Sequence, residues 1–349
     1  MPYQLNPECT NLLSSYPNYQ QFKVVSMNVI ESGEGELFLP PHPDQDRQYM
    51  LENKSWALEP KVMSEHEAVK KFIHEGDYIG TELYGFVRCP MSIAREIVRQ
   101  KIPHLQVAGQ GIMEIDILIA AGLVDKIDLT YLGYEVYGLS PVLRRAAESG
   151  SLQVNEWSNA ALAWRLKAAA LGVPFLPVRV MLGTDTFKHS AAKVVECPFT
   201  GQKVCLLPAT MLDVGIIHVH RADKYGNCQI DGISGFAFET ARASRRLIIS
   251  CEEVIPTEQI REYPEKTIIP WYLVDAVVEA PFGSHPGEMP YYYWRDENHL
   301  DEYVKASKTK ETTIEYLEKW VWGTDSHKAY LDAIGTQKLK EIKEKTTKR

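Results

Sequence analysis

From Lys61 onward, apolar positions alternate between two spacings, the period of a buried helix face and the short unbroken runs of a buried strand. Ser64-Glu65-His66-Glu67 reads as a capping box, the serine oxygen accepting from the Glu67 N–H while the Glu67 carboxylate reaches back. It predicts a helix through Val69, Phe72 and Ile73 that stops at Gly76. Asp77–Thr81 follows as a strand, and Pro90–Gln100 as a helix with Ile93, Ile97 and Val98 inward. Leu105–Val107 predicts a strand, Ile115–Ala121 a helix and Ile127–Leu132 another strand. Ser140–Ser149 and Ser158–Leu171 read as helices, the second closed by Gly172 and followed by Pro174. Val204–Leu207, Val214–Val219 and Leu247–Ser250 are branched, apolar runs of the kind buried strands carry. Further helices are predicted at 235–243 and near the C-terminus. Strands alternating with helices imply an α/β fold, an open and mainly parallel sheet with helices on both faces.

The ends of the chain read differently. Residues 1–58 are polar and Pro-containing, with Pro40-Pro41-His42-Pro43, and only Phe22–Ile30 resembles a strand. They are expected to form an N-terminal extension that wraps the body or a partner, or else a partly ordered arm, with residues 59–349 forming the main domain. The tail Lys338–Arg349 is expected to be a solvated, fraying charged helix.

Composition narrows the function classes. Hydrophobic residues make up 45% and charged residues 24%, enough for a sizeable core, and the net charge of -8 argues against nucleic-acid or anionic-membrane partners. Cys9, Cys89, Cys197, Cys205, Cys228 and Cys251 form no CxxC pair, which fits reduced thiols in a cytoplasmic protein and neither a disulfide framework nor a zinc site. No basic leader followed by an apolar run opens the sequence, and no apolar stretch reaches the roughly 18 residues of a membrane span.

Four stretches could carry chemistry. Gly109-Gln110-Gly111 lies between a strand and a helix, but Glu114 stands where a dinucleotide fingerprint has its third glycine. A nicotinamide cofactor is therefore not expected; Gly109 and Gly111 remain candidates for holding an anionic ligand with backbone N–H groups. In the second stretch, Gly76 to Pro90, a strand runs into a Gly/aromatic loop that could aim N–H groups at a carbonyl oxygen. Here Tyr84, Gly85 and Phe86 are candidates for such an oxyanion site, and Arg88 could pair with a carboxylate. Glu82 is an acid at the end of an apolar strand, either a satisfied surface carboxylate or a functional group. The third stretch, Asn155-Glu156-Trp157-Ser158-Asn159, offers a helix N-cap or a polar group facing substrate. Finally, His218 and His220 alternate on one strand and share a face; with no third ligand nearby, they read as core or interface histidines and not as a metal pair.

Longer stretches resemble a known family. Leu171-Gly172-Val173-Pro174-Phe175-Leu176-Pro177-Val178, the run from Leu212 through Asp223, and Tyr225-Gly226-Asn227 are similar to the α-subunit signatures of class I CoA-transferases, and most of all to the glutaconate CoA-transferase α subunit. The likeness continues through Ser250–Ile255 and Val274–Pro286 and spans about Lys61 to Leu339. It implies a coenzyme A thioester as substrate, no tightly bound cofactor and no metal. It also implies a β-subunit partner in an α2β2 assembly. The family's chemistry is covalent: a glutamate carboxylate attacks the thioester, and the enzyme-bound CoA thioester that results hands CoA to an acceptor acid. That glutamate belongs to the β subunit, so the α chain is expected to supply part of the acyl pocket and oxyanion stabilisation. Arg88 and Ser158 match the family's pattern, whereas Glu82-Leu83-Tyr84 replaces its Gly-Gly-Phe, which removes a close backbone approach. The resemblance implies transfer of CoA between an acyl-CoA and a free acid, dicarboxylic or aromatic. Two alternatives stand beside it. One is the ring-opening acyl-CoA hydrolase of steroid degradation, which shares the fold and uses an acid of its own α chain; Glu82 and Glu156 are the in-chain candidates, with Asn159 near the aligned position. The other is a non-catalytic acyl-CoA-binding subunit.

Overall fold

The computed structural model describes residues 28–111 and 113–346. Its strands are β1 (Val29–Ser32), β2 (Tyr78–Gly85), β3 (Leu105–Gly111), β4 (Val124–Leu129), β5 (Gln153–Glu156), β6 (Phe175–Val178), β7 (Lys193–Glu196), β8 (Lys203–Pro208), β9 (Leu212–Ala222), β10 (Cys228–Gln229), β11 (Ser244–Val254), β12 (Thr267–Ile269) and β13 (Ala276–Glu279). A parallel sheet runs in the order β13–β11–β9–β2–β3–β4–β5, and β10 and β12 extend it antiparallel beside the far end of β9. From β2 the chain winds one way through β3, β4 and β5, and from β9 the other way through β11 and β13. The direction therefore reverses between β2 and β9.

Both faces of this sheet are dry. Ile79, Val107, Ile127, Ile216, Ile248 and Val278 point into one core with the helices Glu65–Phe72, Met91–Gln100 and Met113–Ala120. Their neighbours along the same strands point the other way. Tyr78 and Ala108 pack with the helix Asn159–Leu171, and Ile217, Ile249 and Val277 with the helix Ala237–Ala243. Alternate residues buried on opposite faces explain why the strands read as continuous apolar runs. The predicted helix boundaries hold where a cap fixes them. The Ser64–Glu67 box is formed in both directions, and Gly172 closes its helix at φ 70.

Two expectations, the sheet placement of Val204–Leu207 and the fraying of the tail, need correction. Val204–Leu207 lies not in the parallel sheet but in β8 of a separate antiparallel one, ordered β1–β7–β8–β6. An apolar run has the same spacing in either setting, so the sequence could not separate them. Of the strand expected at Phe22–Ile30, Val29 and Ile30 fall in β1, which runs on to Ser32, and Phe22–Met27 lie outside the described residues, as does Cys9. The described part of the N-terminal segment is built into the body. β1 pairs with β7, Asp46 lies 2.6 Å from Arg245, and Lys54 forms a buried ion pair with Asp275. The tail does not fray through Thr346 either. The helix Thr336–Thr346 buries Ile342, whose carbonyl accepts from the Trp294 N–H at 3.0 Å, and Lys338 pairs with Asp296 at 3.2 Å. Among the described residues no helix is long and apolar enough to cross a membrane.

Candidate active site

In open α/β sheets, ligands lodge at the carboxyl ends of the strands where the winding direction reverses. Here that point is the gap between β2 and β9. The two strands pair through Thr81 and Ile216, after which β2 bends away; β10 joins β9 only at Arg221 and Ala222. The intervening backbone of β9 is left without a strand partner on that side. Arg88 fills the gap, its Nη1 donating to the His218 carbonyl at 3.4 Å and its Nη2 to the Ile233 carbonyl at 3.1 Å.

The same guanidinium grips Glu82. Arg88 Nη1 lies 2.6 Å from Glu82 Oε1, and Nη2 donates to Oε2 at 3.3 Å, with neither side chain reaching solvent. Burial pushes the Glu82 carboxyl up to about 7; Arg88 pulls against it, buried Glu114 adds to the rise, and the Phe236 N–H holds it down. Arg88 has φ 52, a left-handed backbone that most side chains avoid. It is held there because its N–H donates to the Glu288 carbonyl at 2.9 Å while the Glu288 N–H donates to Phe86 at 2.6 Å. Gly287 lets these segments meet, since a Cβ there would fall 2.4 Å from the Phe86 oxygen.

These positions differ from a reading in which Arg88 is open to a substrate carboxylate and Glu82 to a thioester. Both are sealed and engaged with each other. Phe86 is likewise core, stacked on Tyr134 with centroids 6.4 Å apart and covered by Arg295 at 5.5 Å. Of Tyr84 the backbone alone is described; it pairs with Gln110, and Gly85 pairs with Gly111. Gly85 (φ 67) and Gly111 thus sit side by side at the ends of β2 and β3, and the space a Cβ at Gly85 would take is open apart from Glu135 Oε1 at 3.9 Å. Gly109 lies one turn of the pleat back, paired with Leu129 of β4.

The 156–159 segment arrives at the same edge from β5. Ser158 is the N-cap of the helix Asn159–Leu171, accepting from the Ala161 N–H at 3.1 Å and leaving its own hydroxyl proton free to donate. Ser158 is half-buried, and Glu156 and Asn159 are exposed. What fixes this segment is Asp128, an acid buried in β4. Its Oδ1 accepts from Trp157 Nε1 at 2.8 Å and Asn155 Nδ2 at 2.9 Å, and its Oδ2 from Arg165 Nη1 at 2.7 Å and the Tyr78 hydroxyl. Arg165 also lies flat on the Trp157 ring, 3.9 Å from its centroid.

A second buried network supports β9. His218 contacts Ser250 Oγ through Nδ1 and Glu252 Oε1 through Nε2, both at 2.8 Å, and Glu252 also accepts from the Tyr293 hydroxyl at 2.6 Å and the Phe282 N–H at 2.7 Å. His220 faces the same side and is satisfied by the Pro290 carbonyl and the Asp231 N–H, so both histidines are core residues. No cluster of three or more metal-binding side chains occurs among the described residues. Sequence reasoning missed Asp128 and Glu135. An acid inside the apolar run Ile127–Leu132 was a signal for the first; nothing in the sequence marked Glu135, which the turn after β4 swings toward Gly85.

The fold is an open, mainly parallel α/β sheet with a candidate ligand site at its reversal point, and its likeness to known proteins gives the family. A family model described as coenzyme A transferase matches residues 62–280. The α subunit of glutaconate CoA-transferase from Acidaminococcus fermentans is 33% identical over 81% of this chain and 94% of its own length. The crystal structure of glutaconate coenzyme A-transferase from that organism superposes with a TM-score of 0.79, covering 81% of this chain and 95% of that one. The α subunit of 3-oxoadipate CoA-transferase from Pseudomonas knackmussii is 32% identical over 76% of this chain and 94% of its own. The cholesterol ring-cleaving hydrolase IpdA subunit of Rhodococcus jostii is 28% identical over 72% and 89%. The chain belongs to the coenzyme A transferase family, and its likeness runs to the α subunits of that family's enzymes.

Proposed function

We propose that this chain is the α subunit of a two-chain CoA-transferase that moves CoA between an acyl-CoA and a free carboxylic acid, paired with a β subunit in an α2β2 complex and working in the cytoplasm. The observation that carries this reading is the likeness, over 81% of this chain, to the α chain of a CoA-transferase, joined to the state of the chain's own buried acid. Glu82 is locked to Arg88 and cannot attack a thioester while that pair stands. A nucleophile brought by the partner resolves this: its carboxylate oxygen bonds to the acyl carbon as the C–S bond breaks, giving a mixed anhydride and CoA thiolate. The thiolate then bonds to the partner's glutamyl carbonyl, releasing the first acid, and the acceptor acid repeats the two steps in reverse.

The α chain's contribution lies in its carboxyl edge. Gly85 and Gly111 allow close backbone approach where the acyl oxygen gains charge, and Ser158 carries a free hydroxyl proton for the acyl group. Glu156 and Asn159 stand exposed beside it. The five cysteines among the described residues are all free thiols, in keeping with a reducing compartment. The hydrolase reading keeps one supporting observation, the exposed Glu156 at this edge together with the likeness to a ring-cleaving hydrolase subunit. The assembled complex decides between them. Transfer predicts new acyl-CoA only when an acceptor acid is present; hydrolysis predicts loss of thioester without acceptor, abolished by Glu156→Gln.

A further inference from the structure

The Glu82–Arg88 pair bears on which acids this enzyme can take, an inference that rests on the proposed function. The pair sits at the reversal point of the sheet, where the acyl group must approach. The two terminal nitrogens of its guanidinium are engaged inside the chain, and the Arg88 Nε is buried without a hydrogen-bond partner among the described residues. Each terminal nitrogen of Arg88 faces one Glu82 oxygen and one main-chain carbonyl, of His218 or of Ile233. Neither charged group has any exposed surface, so a substrate carboxylate could reach Arg88 only by displacing Glu82. With Glu114 also buried close to the pair, a substrate carboxylate would add further negative charge to a dry site.

The surface above the pair points the same way. Ile233 gives its carbonyl to Arg88 and turns its side chain outward, 66% exposed. Tyr291, 69% exposed, stands over the preceding residue, Gly232, where a Cβ would meet its ring at 3.1 Å. An incoming acyl chain therefore meets an aliphatic and an aromatic side chain; Arg88 beneath them is engaged by Glu82, and Lys266, which lines the cavity beside Tyr291, is paired with Asp231 at 3.0 Å.

We propose that Glu82 is a specificity-determining residue that silences Arg88, and that the enzyme takes monocarboxylic acids with apolar or aromatic bodies in preference to dicarboxylic ones. The test compares acids of one length, pentanoate and glutarate, as CoA acceptors for the purified complex of this chain with its partner. The wild-type complex is expected to favour pentanoate in kcat/KM by about tenfold or more. Glu82→Gln removes the competing charge and is expected to raise the glutarate-to-pentanoate ratio by about tenfold. Glu82→Gln with Arg88→Gln removes both charges, leaves no buried ion unpaired, and is expected to hold the wild-type ratio within about twofold, whatever happens to each rate. A wild-type complex that takes glutarate as well as pentanoate overturns the proposal. So does an unchanged ratio in folded Glu82→Gln. If Glu82→Gln does not assemble, the double variant decides, because a selective further loss of glutarate there would mean that Arg88 serves dicarboxylates after all. Should the complex release thiol and transfer nothing, the proposed transferase fails. The same ratio is then read from hydrolysis of pentanoyl-CoA and glutaryl-CoA, so the fate of the specificity proposal is separable from that of the transferase.

Discussion

Asp128→Ala should destabilise this fold strongly. The carboxylate is inaccessible and accepts from four donors drawn from β2, from β5 and the turn after it, and from the helix Asn159–Leu171. One donor is Arg165, whose side chain is 2% exposed and has no other carboxylate within ion-pairing distance among the described residues. Removing one member of a buried pair typically costs about 3–5 kcal/mol, because the other charge is left in a dry site. Orphaning the Tyr78, Asn155 and Trp157 donors adds to this, each by about 1–3 kcal/mol at most, and not additively because water and local relaxation share the burden. A loss of about 5 kcal/mol follows, which for a chain of this size corresponds to a fall in melting temperature on the order of 10 °C. Asp128→Ala combined with Arg165→Met should recover part of it, since an apolar pair leaves no stranded charge. Thermal unfolding of the purified complex, followed by circular dichroism, reads both variants. Activity should fall with Asp128→Ala as well, because Trp157 positions Ser158. A single variant within about 1 kcal/mol of wild type, or a double variant no better than the single, would refute the reasoning.

The other predictions probe separate parts of the account. His220 is buried and neutral, its pKa lowered to about 4 chiefly by burial, and its Nδ1 accepts from the Asp231 N–H at 3.1 Å. A histidine depressed on folding loses stability as pH falls, because the unfolded state takes up the proton first. Between pH 6.5 and about 4 the complex should therefore lose about 3 kcal/mol from this group, and His220→Gln should flatten that part of the stability profile. Ser158→Ala removes an N-cap and should cost about 1 kcal/mol in denaturant unfolding, whereas Ser158→Thr should keep most of it. A drop in kcat/KM for Ser158→Ala without one for Ser158→Thr would mark the hydroxyl as a substrate contact. Gly283→Ala would place a Cβ 2.5 Å from His218 Cε1 and 2.6 Å from the Ala280 carbonyl, and should destabilise by about 2–3 kcal/mol, read by the same melts.

Local chemistry was legible in the sequence wherever it closes on itself within a few residues. The Ser64–Glu67 box, the Ser158 N-cap and the Gly172 stop are of this kind, and the strand runs through Val107, Ile127, Val214 and Ile248 gave away a sheet buried on both faces. Sites assembled from distant positions were not legible. Asp128 gathers partners from positions 78, 155, 157 and 165, and nothing local says that they meet. Glu82 and Arg88 are six residues apart, but their contact depends on β2 leaving β9 after Thr81 and on the left-handed backbone of Arg88, so they read as two independent candidates. The C-terminal helix looked solvated because only two apolar residues, Leu339 and Ile342, dock it in a run of charges.

The central claim is that this chain works as the α subunit of a CoA-transferase. The most direct measurement incubates the co-purified two-chain complex with an acyl-CoA, with and without a free carboxylic acid, and follows both new acyl-CoA and free thiol. The account predicts new acyl-CoA only with the acceptor, with no net thiol release. Thiol release or thioester loss in the absence of acceptor would contradict it.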